Sequence, residues 1–256
     1  MRPTASMIAA VALLMSFSVA HADHASLPEG VTPVMATWLW GYHTIPASIA
    51  DDGSPYWYAY PHTDAARIID PPWTEVAAAQ IKAGAKAPAV LFLHGCSGLI
   101  RGGVGYRLLL MTEGYAVFEP DAFARPGYSC DSSTIAMRRE EIAYALGQIR
   151  ALAWVDQDRI VLMGFSQGGT AVGSWEEPGF AAHVILDAPA TARAPAKVPV
   201  LAIAGAEDSY ASPASYKTKN LAGASNSILI AGAGHGTFHL PEAKEAIKNF
   251  LRECCR

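Results

Sequence analysis

The sequence predicts an α/β fold, with a mainly parallel central sheet and helices on both faces. From residue 88 onward, short continuous apolar runs alternate with segments whose apolar residues recur at helical spacing. These runs lack the polar alternation of a half-exposed sheet, which marks strands buried on both faces.

Ala89 to Leu93 is the first buried strand, and it ends in His94-Gly95. Gly105 to Thr112 reads as a short helix closed by Gly114. Tyr115 to Phe118 is the second buried strand, ending at Pro120-Asp121. Ser132 or Ser133 is placed to cap a long helix running to about Trp154, with Ile135, Ile142, Leu146 and Ile149 at helical spacing. Arg159 to Gly164, His183 to Leu186 and Val198 to Ala204 follow as buried strands. Ser227 to Ile230 is the last, before a helix from about Pro241 to Arg252; Pro241 suits a first turn, where its missing N–H costs nothing. Ala188 to Pro199 is a connection.

The stretch from Asp23 to Lys86 is less regular. Val34 to Leu39 and Tyr56 to Tyr60 are expected as antiparallel edge strands. Trp38, Trp40, Tyr42, Tyr56, Trp57, Tyr58 and Tyr60 are expected to pack in the core or at the sheet edge rather than to bind a ligand.

Residues 1–22 stand apart. Arg2 supplies a positive charge, Met7 to Val19 are almost wholly apolar, and Ala20-His21-Ala22 has the small-x-small form of a signal-peptidase site. The expectation is a signal peptide cleaved after Ala22, which leaves residues 23–256 as one α/β domain of a secreted or periplasmic protein. The alternative is an uncleaved anchor, but an apolar run of roughly 13 residues is short of the roughly 20 needed to span a bilayer. With 51% hydrophobic residues the chain can bury a large core. A net charge of −4 with scattered lysines and arginines gives no reason to expect nucleic acid or an anionic membrane as partner. Cys96, Cys130, Cys254 and Cys255 allow three disulfide pairings, and the adjacent terminal pair either bridges to itself or stays reduced.

The chemistry concentrates at Gly164-Phe165-Ser166-Gln167-Gly168, where a strand runs directly into G-x-S-x-G. A serine presented on a tight strand-to-helix turn strains its backbone, and side chains two places either side would collide with the neighbouring chain. Ser166 is therefore the candidate nucleophile, with the Gln167 N–H aimed at an oxyanion. A nucleophilic serine needs a base, and the base an orienting carboxylate. On such a turn they follow in the order acid, then histidine. Asp208, in Gly205-Ala-Glu-Asp208 after one buried strand, is the candidate acid in preference to Glu207, with Asp187 in reserve and expected as a loop-capping carboxylate. His235, in Gly234-His235-Gly236 after the next strand, is the candidate base in preference to His239.

A second oxyanion donor is expected from the loop His94-Gly95-Cys96-Ser97-Gly98, with the Cys96 N–H as donor and His94 as a buttress. Cys96 lacks the context of a nucleophile. Arg125 is a candidate contact for a substrate carboxylate, and an ion pair with Asp121 or Asp131 is its structural alternative. Arg101 is a weaker candidate for the same contact. No metal or cofactor is expected: His235-x-x-x-His239 lacks a third ligand, and glycines flank its first histidine.

On these residues the chain resembles the α/β-hydrolase superfamily over nearly all of residues 34 to 252, and within it the dienelactone-hydrolase-like proteins, in its compact size and lack of a large insertion. The resemblance implies a hydrolase of small esters or lactones. Some of those relatives carry cysteine at the elbow, and Ser166 departs from them, favouring a general serine esterase over a dienelactone hydrolase. The family's strand order also sets the loop after His94 beside the loop from Pro120 to Asp131, which favours a Cys96–Cys130 bridge. Other serine-hydrolase activities (acyl-peptidase, polyester depolymerase, acyltransferase) and a non-catalytic binding protein on the same scaffold remain the alternatives.

Overall fold

The computed structural model describes residues 27–59, 73–101, 104–189, 192–211 and 226–255. The expected signal peptide lies outside the described residues, as do Tyr60 and the side chain of Arg101. Eight strands form one sheet: β1 (Tyr42–Ile45), β2 (Tyr56–Ala59), β3 (Ala87–Leu93), β4 (Ala116–Glu119), β5 (Val155–Phe165), β6 (Ala182–Leu186), β7 (Val200–Gly205) and β8 (Asn226–Ile230). Their order across the sheet is β2-β1-β4-β3-β5-β6-β7-β8. The β1 strand pairs antiparallel with β2 and β4, and every other pairing is parallel.

The continuous apolar runs divide their side chains between two cores. Ala89, Leu91 and Leu93 of β3, with Ile160 and Leu162 of β5, face one side of the sheet. Val90 and Phe92, with Val161 and Met163, face the other. This period of two is why a strand covered on both faces reads as apolar throughout. Helices α1 (Pro33–Leu39), α2 (Trp73–Ala78), α5 (Ile135–Arg150) and α6 (Gln167–Gly173) cover the first face; α3 (Gly98–Arg101) follows β3. The second face is covered by α4 (Val104–Thr112) and α7 (Pro241–Cys254). The buried stripe of α7 is Ala243, Ile247, Phe250 and Leu251, and each large side chain there stabilises the fold by about 2 kcal/mol. Among the described residues no helix is long and apolar enough to cross a membrane.

Three expectations change. Val34 to Leu39 lies in a helix, not a strand: Thr32 accepts the Met35 N–H at 3.3 Å as N-cap and Pro33 opens the first turn. The antiparallel strand sits just beyond it, at β1, between the edge strand β2 and β4, where His43 and Thr44 are buried. The long helix is preceded by a 3₁₀ turn capped by Asp131, which accepts the Ser133 N–H at 2.7 Å, so neither Ser132 nor Ser133 is the cap. It stops at Arg150 rather than Trp154: the Leu152 and Val155 N–H groups bond the Ile149 and Leu152 carbonyls, three residues back, and β5 begins at Val155. Of the aromatics, Trp38 and Trp40 are buried while Trp57 is 44% exposed at the edge strand.

Candidate active site

The carboxyl ends of the parallel strands share one edge of the sheet, and the loops leaving β3 to β8 carry the polar residues of the site there. Ser166 leaves β5 at φ 55° and ψ −121°, a conformation costing a side-chain-bearing residue about 1–3 kcal/mol. Two backbone hydrogen bonds hold it: Ser166 N–H to the Leu186 carbonyl at 2.9 Å, and Thr170 N–H to the Ser166 carbonyl at 3.0 Å. The flanking glycines are steric requirements. A Cβ on Gly164 would stand 2.5 Å from the Gly168 carbonyl oxygen, and one on Gly168 would overlap the Leu93 carbonyl oxygen.

The His235 Nε2 lies 3.0 Å from Ser166 Oγ, and its Nδ1 lies 2.9 Å from Asp208 Oδ2. Asp208 is 1% exposed, and its other oxygen accepts the N–H groups of Tyr210 at 2.9 Å and Ala211 at 3.2 Å. A carboxylate only accepts, so the imidazole proton sits on Nδ1 and Nε2 faces the serine hydroxyl. Glu207 is exposed. The reserve carboxylate, Asp187, accepts the Thr237 N–H at 2.8 Å and the Thr237 hydroxyl at 2.9 Å. It thereby caps the turn two residues past His235, and burial raises its pKa. His239 is exposed on a 3₁₀ turn.

The loop after β3 lies against the serine: a Cβ on Gly95 would stand 2.8 Å from Ser166 Cβ. His94 is fully buried; its Nδ1 lies 2.7 Å from the Gly95 carbonyl oxygen, and Nε2 accepts the Ala122 N–H at 3.0 Å. Only the neutral ring with its proton on Nδ1 makes both bonds. Burial, and the charge of Arg138 nearby, hold the His94 pKa below its ordinary value, so the 3.5 Å approach of Asp121 is not an ion pair. The Gly95 carbonyl and the Cys96 N–H belong to one planar peptide, so fixing the carbonyl fixes the direction of the N–H. Gly98 N–H also donates to that carbonyl, at 3.1 Å. Cys96 is bridged to Cys130, with Cα atoms 5.4 Å apart, and Cys254 is bridged to Cys255. Gln167 opens α6, so its N–H has no carbonyl one turn back within the helix. Its side chain donates to the Asp131 carbonyl at 2.9 Å and the Thr134 hydroxyl at 3.0 Å, and accepts from the Tyr128 hydroxyl.

A cleft of about 300 Å³ opens over Ser166, lined by Cys96, Ser97, Phe165, His235, Gly236 and Phe238. Tyr210, 45% exposed, sets its ring edge-on to His235 at 5.6 Å, and its hydroxyl lies 3.0 Å from the Thr170 hydroxyl. Nothing in the sequence around Tyr210 or Phe238 marks them for this place. Arg125 is a correction. It neither lines the cleft nor pairs with Asp121 or Asp131; its guanidinium bonds Glu140 at 2.5 Å and the Met137 carbonyl at 3.2 Å. The two nearby carboxylates are engaged locally, Asp121 by the Phe123 N–H and Asp131 by the Ser133 N–H, which leaves Arg125 to the helix above.

No protein-family model matches the sequence, and no curated protein does. Solved structures do resemble it. Esterase PE8 superposes with a TM-score of 0.52 at 18% identity, over 67% of this chain and 94% of its own. A phospholipase/carboxylesterase from Dyadobacter fermentans gives 0.53 at 14% identity, over 65% of this chain and 90% of its own. A protein described as a dienelactone hydrolase, from Klebsiella pneumoniae, gives 0.51 at 18% identity, over 67% and 88%. The fold is the α/β-hydrolase fold, as the sequence resemblance implied.

Proposed function

We propose that the protein is a serine hydrolase that cleaves carboxylic esters or lactones of small substrates through an acyl-enzyme at Ser166. The reading rests on one observation: the unbroken hydrogen-bond chain from buried Asp208 through His235 to Ser166 at the mouth of a cleft. Ser166 Oγ attacks the ester carbonyl while His235 Nε2 takes its proton, and Asp208 orients the imidazole and stabilises its positive form. The N–H groups of Cys96 and Gln167 receive the oxyanion. The alcohol leaves with the proton from His235, and water activated by the same ring releases the acid. The cleft walls, Phe165 and Phe238, suit an uncharged acyl group. The esterases among the structural neighbours agree with this chemistry without fixing the substrate.

Residues 1–22 are read as a secretory leader removed from the mature chain, which puts the enzyme in a compartment where its disulfides persist. Fluorophosphonate labelling tests the mechanism: folded protein that takes no label at Ser166 would remove the enzyme reading. A panel of p-nitrophenyl esters against peptide amides tests the substrate class, and cleavage of amides alone would remove the ester assignment.

A further inference from the structure

Two buried Arg–Glu pairs end on the same short loop. Arg138 of α5 is fully buried, with its Nη1 2.8 Å from Oε2 of the equally buried Glu141. Its Nη2 donates to the His94 carbonyl at 3.0 Å. Arg107 of α4, 3% exposed, has its Nε 3.2 Å from Oε2 of Glu119, also fully buried. Its Nη2 donates to the Leu99 carbonyl at 2.8 Å. Neither carboxylate contact is an aligned hydrogen bond. Each is a close approach of guanidinium to a carboxyl group whose pKa burial raises, to about 8 at Glu119 and about 7 at Glu141, whereas the aligned bonds go to the loop. The two carbonyls bound the segment His94–Leu99, which carries the Cys96 N–H and touches Ser166.

Burying two guanidiniums beside two carboxyl groups is costly. Each ion loses several kcal/mol of hydration, and an apolar pair of similar volume is usually as stable or more so. Cohesion alone is therefore a poor reason for them to stand here. Each guanidinium does what an apolar side chain cannot: it supports a loop carbonyl from beneath the sheet edge with a rigid, planar donor. At the Arg138 end, the supported carbonyl belongs to the residue whose ring holds the next peptide. The order is then Glu141, Arg138, the His94 carbonyl and ring, the Gly95 carbonyl and finally the Cys96 N–H.

We propose that Arg138 and Arg107, held by Glu141 and Glu119, are positioning residues for the oxyanion hole, acting by clamping the two ends of the His94–Leu99 loop. The proposal rests on the reading of Ser166 as nucleophile and the Cys96 N–H as oxyanion donor. Its consequence is selective for the transition state: the clamp aims a donor at charge that exists only there, so its loss lowers kcat and leaves KM nearly unchanged.

The test is the double variant Arg138→Met/Glu141→Leu in the full chain, which removes both charges together and leaves neither unpaired. Three quantities are measured: melting temperature, kcat per site counted by complete fluorophosphonate labelling, and affinity for an alkylboronic acid, which forms a tetrahedral adduct on serine. One oxyanion donor is worth about 10²–10³ in kcat, so a misaimed one should cost at least about tenfold. The expected result is an unchanged melting temperature, a fall of that size in kcat per site with KM within about twofold, and a parallel loss of boronate affinity. Unchanged kcat per site in the folded variant overturns the proposal. If the double variant does not fold, Arg138→Lys is read in the same way. Lysine keeps a charge but loses the planar fork whose two nitrogens meet Glu141 and the His94 carbonyl, so unchanged kcat per site again overturns it. If wild-type Ser166 takes no label, the reading of the site fails, and that outcome is seen before any variant is compared.

Discussion

The Cys96–Cys130 bridge should contribute more to stability than any other single covalent or polar link described here. It joins residues separated by 34 positions, and the chain between them includes α4, β4 and the turn that carries Arg125. Closing a loop of that length removes about 13 cal/mol/K of entropy from the unfolded chain, or about 4 kcal/mol at 25 °C. For a domain of this size, 1 kcal/mol moves the melting temperature by about 2–4 °C, so the Cys96→Ser/Cys130→Ser variant should melt on the order of 10 °C lower. The Cys254–Cys255 bridge closes no long loop, and its removal gives the control: Cys254→Ser/Cys255→Ser should shift the melt by about 2 °C or less. Differential scanning calorimetry of the three proteins, with non-reducing mass mapping of wild type, is the assay. Free Cys96 and Cys130 thiols in native protein would refute the reasoning at its premise. Equal melting shifts for the two bridge deletions would refute it at the loop-closure argument.

Other outcomes follow from the same geometry. Ser166→Ala should abolish ester turnover with its circular dichroism and melting temperature preserved, and measurable turnover would dismiss Ser166 as nucleophile. Asp208→Asn should lower kcat about 10⁴-fold, because an amide cannot enforce the proton on Nδ1 of His235; a loss under tenfold would show the carboxylate dispensable. His183 is buried beside β7 with its pKa lowered to about 4, so below pH 6.5 the unfolded chain takes up a proton that the fold refuses. Stability is lost as pH falls from about 6.5 to about 4, by about 3 kcal/mol from this group; His43, also lowered to about 4 by burial, adds its own loss, so His183→Gln should make the fall of the denaturation midpoint shallower without abolishing it. A variant with the same pH slope as wild type would contradict that. Arg125→Met should leave KM for carboxylate-bearing and neutral esters within about twofold, since the side chain is committed to α5. A selective rise for the anionic ester would restore it as a substrate contact.

What could be read from the sequence is what the chain writes contiguously. Strands β3 to β8 are apolar runs, and Ser166, Asp208 and His235 each follow one of them, so their shared edge was implied by strand order alone. The N-terminal region was misread because Val34 to Leu39 suits either structure. The deciding Thr32-Pro33 cap lies outside the run. The β1 strand escaped because its buried members include His43 and Thr44, whose Nε2 and hydroxyl are engaged by the Trp38 and Val117 backbones. The Arg–Glu pairs left one unread trace: Arg138 and Glu141 stand on the same stripe of α5 as Ile142, Ala145 and Ile149. Charge at core positions of an amphipathic helix is that signal, but which carbonyl each guanidinium meets depends on loops far away in sequence. Arg125 shows the opposite error, where nearness in sequence suggested partners that were already occupied by local caps.

The crossing order of the strands also has a consequence in time. Ser166 follows β5, near the middle of the sheet, whereas His235, its base on the proposed mechanism, comes 69 residues later, on the loop beyond β8. While the chain folds, the serine turn can form before the imidazole docks, and long-range parallel pairing is slow to complete. On the proposed mechanism a partly folded chain therefore carries a serine hydroxyl with nothing to deprotonate it, and its reactivity would switch on with the docking of β8 at the sheet's edge. A chain ending before Asn226 should remain unlabelled by fluorophosphonate even where β3 and β5 have paired.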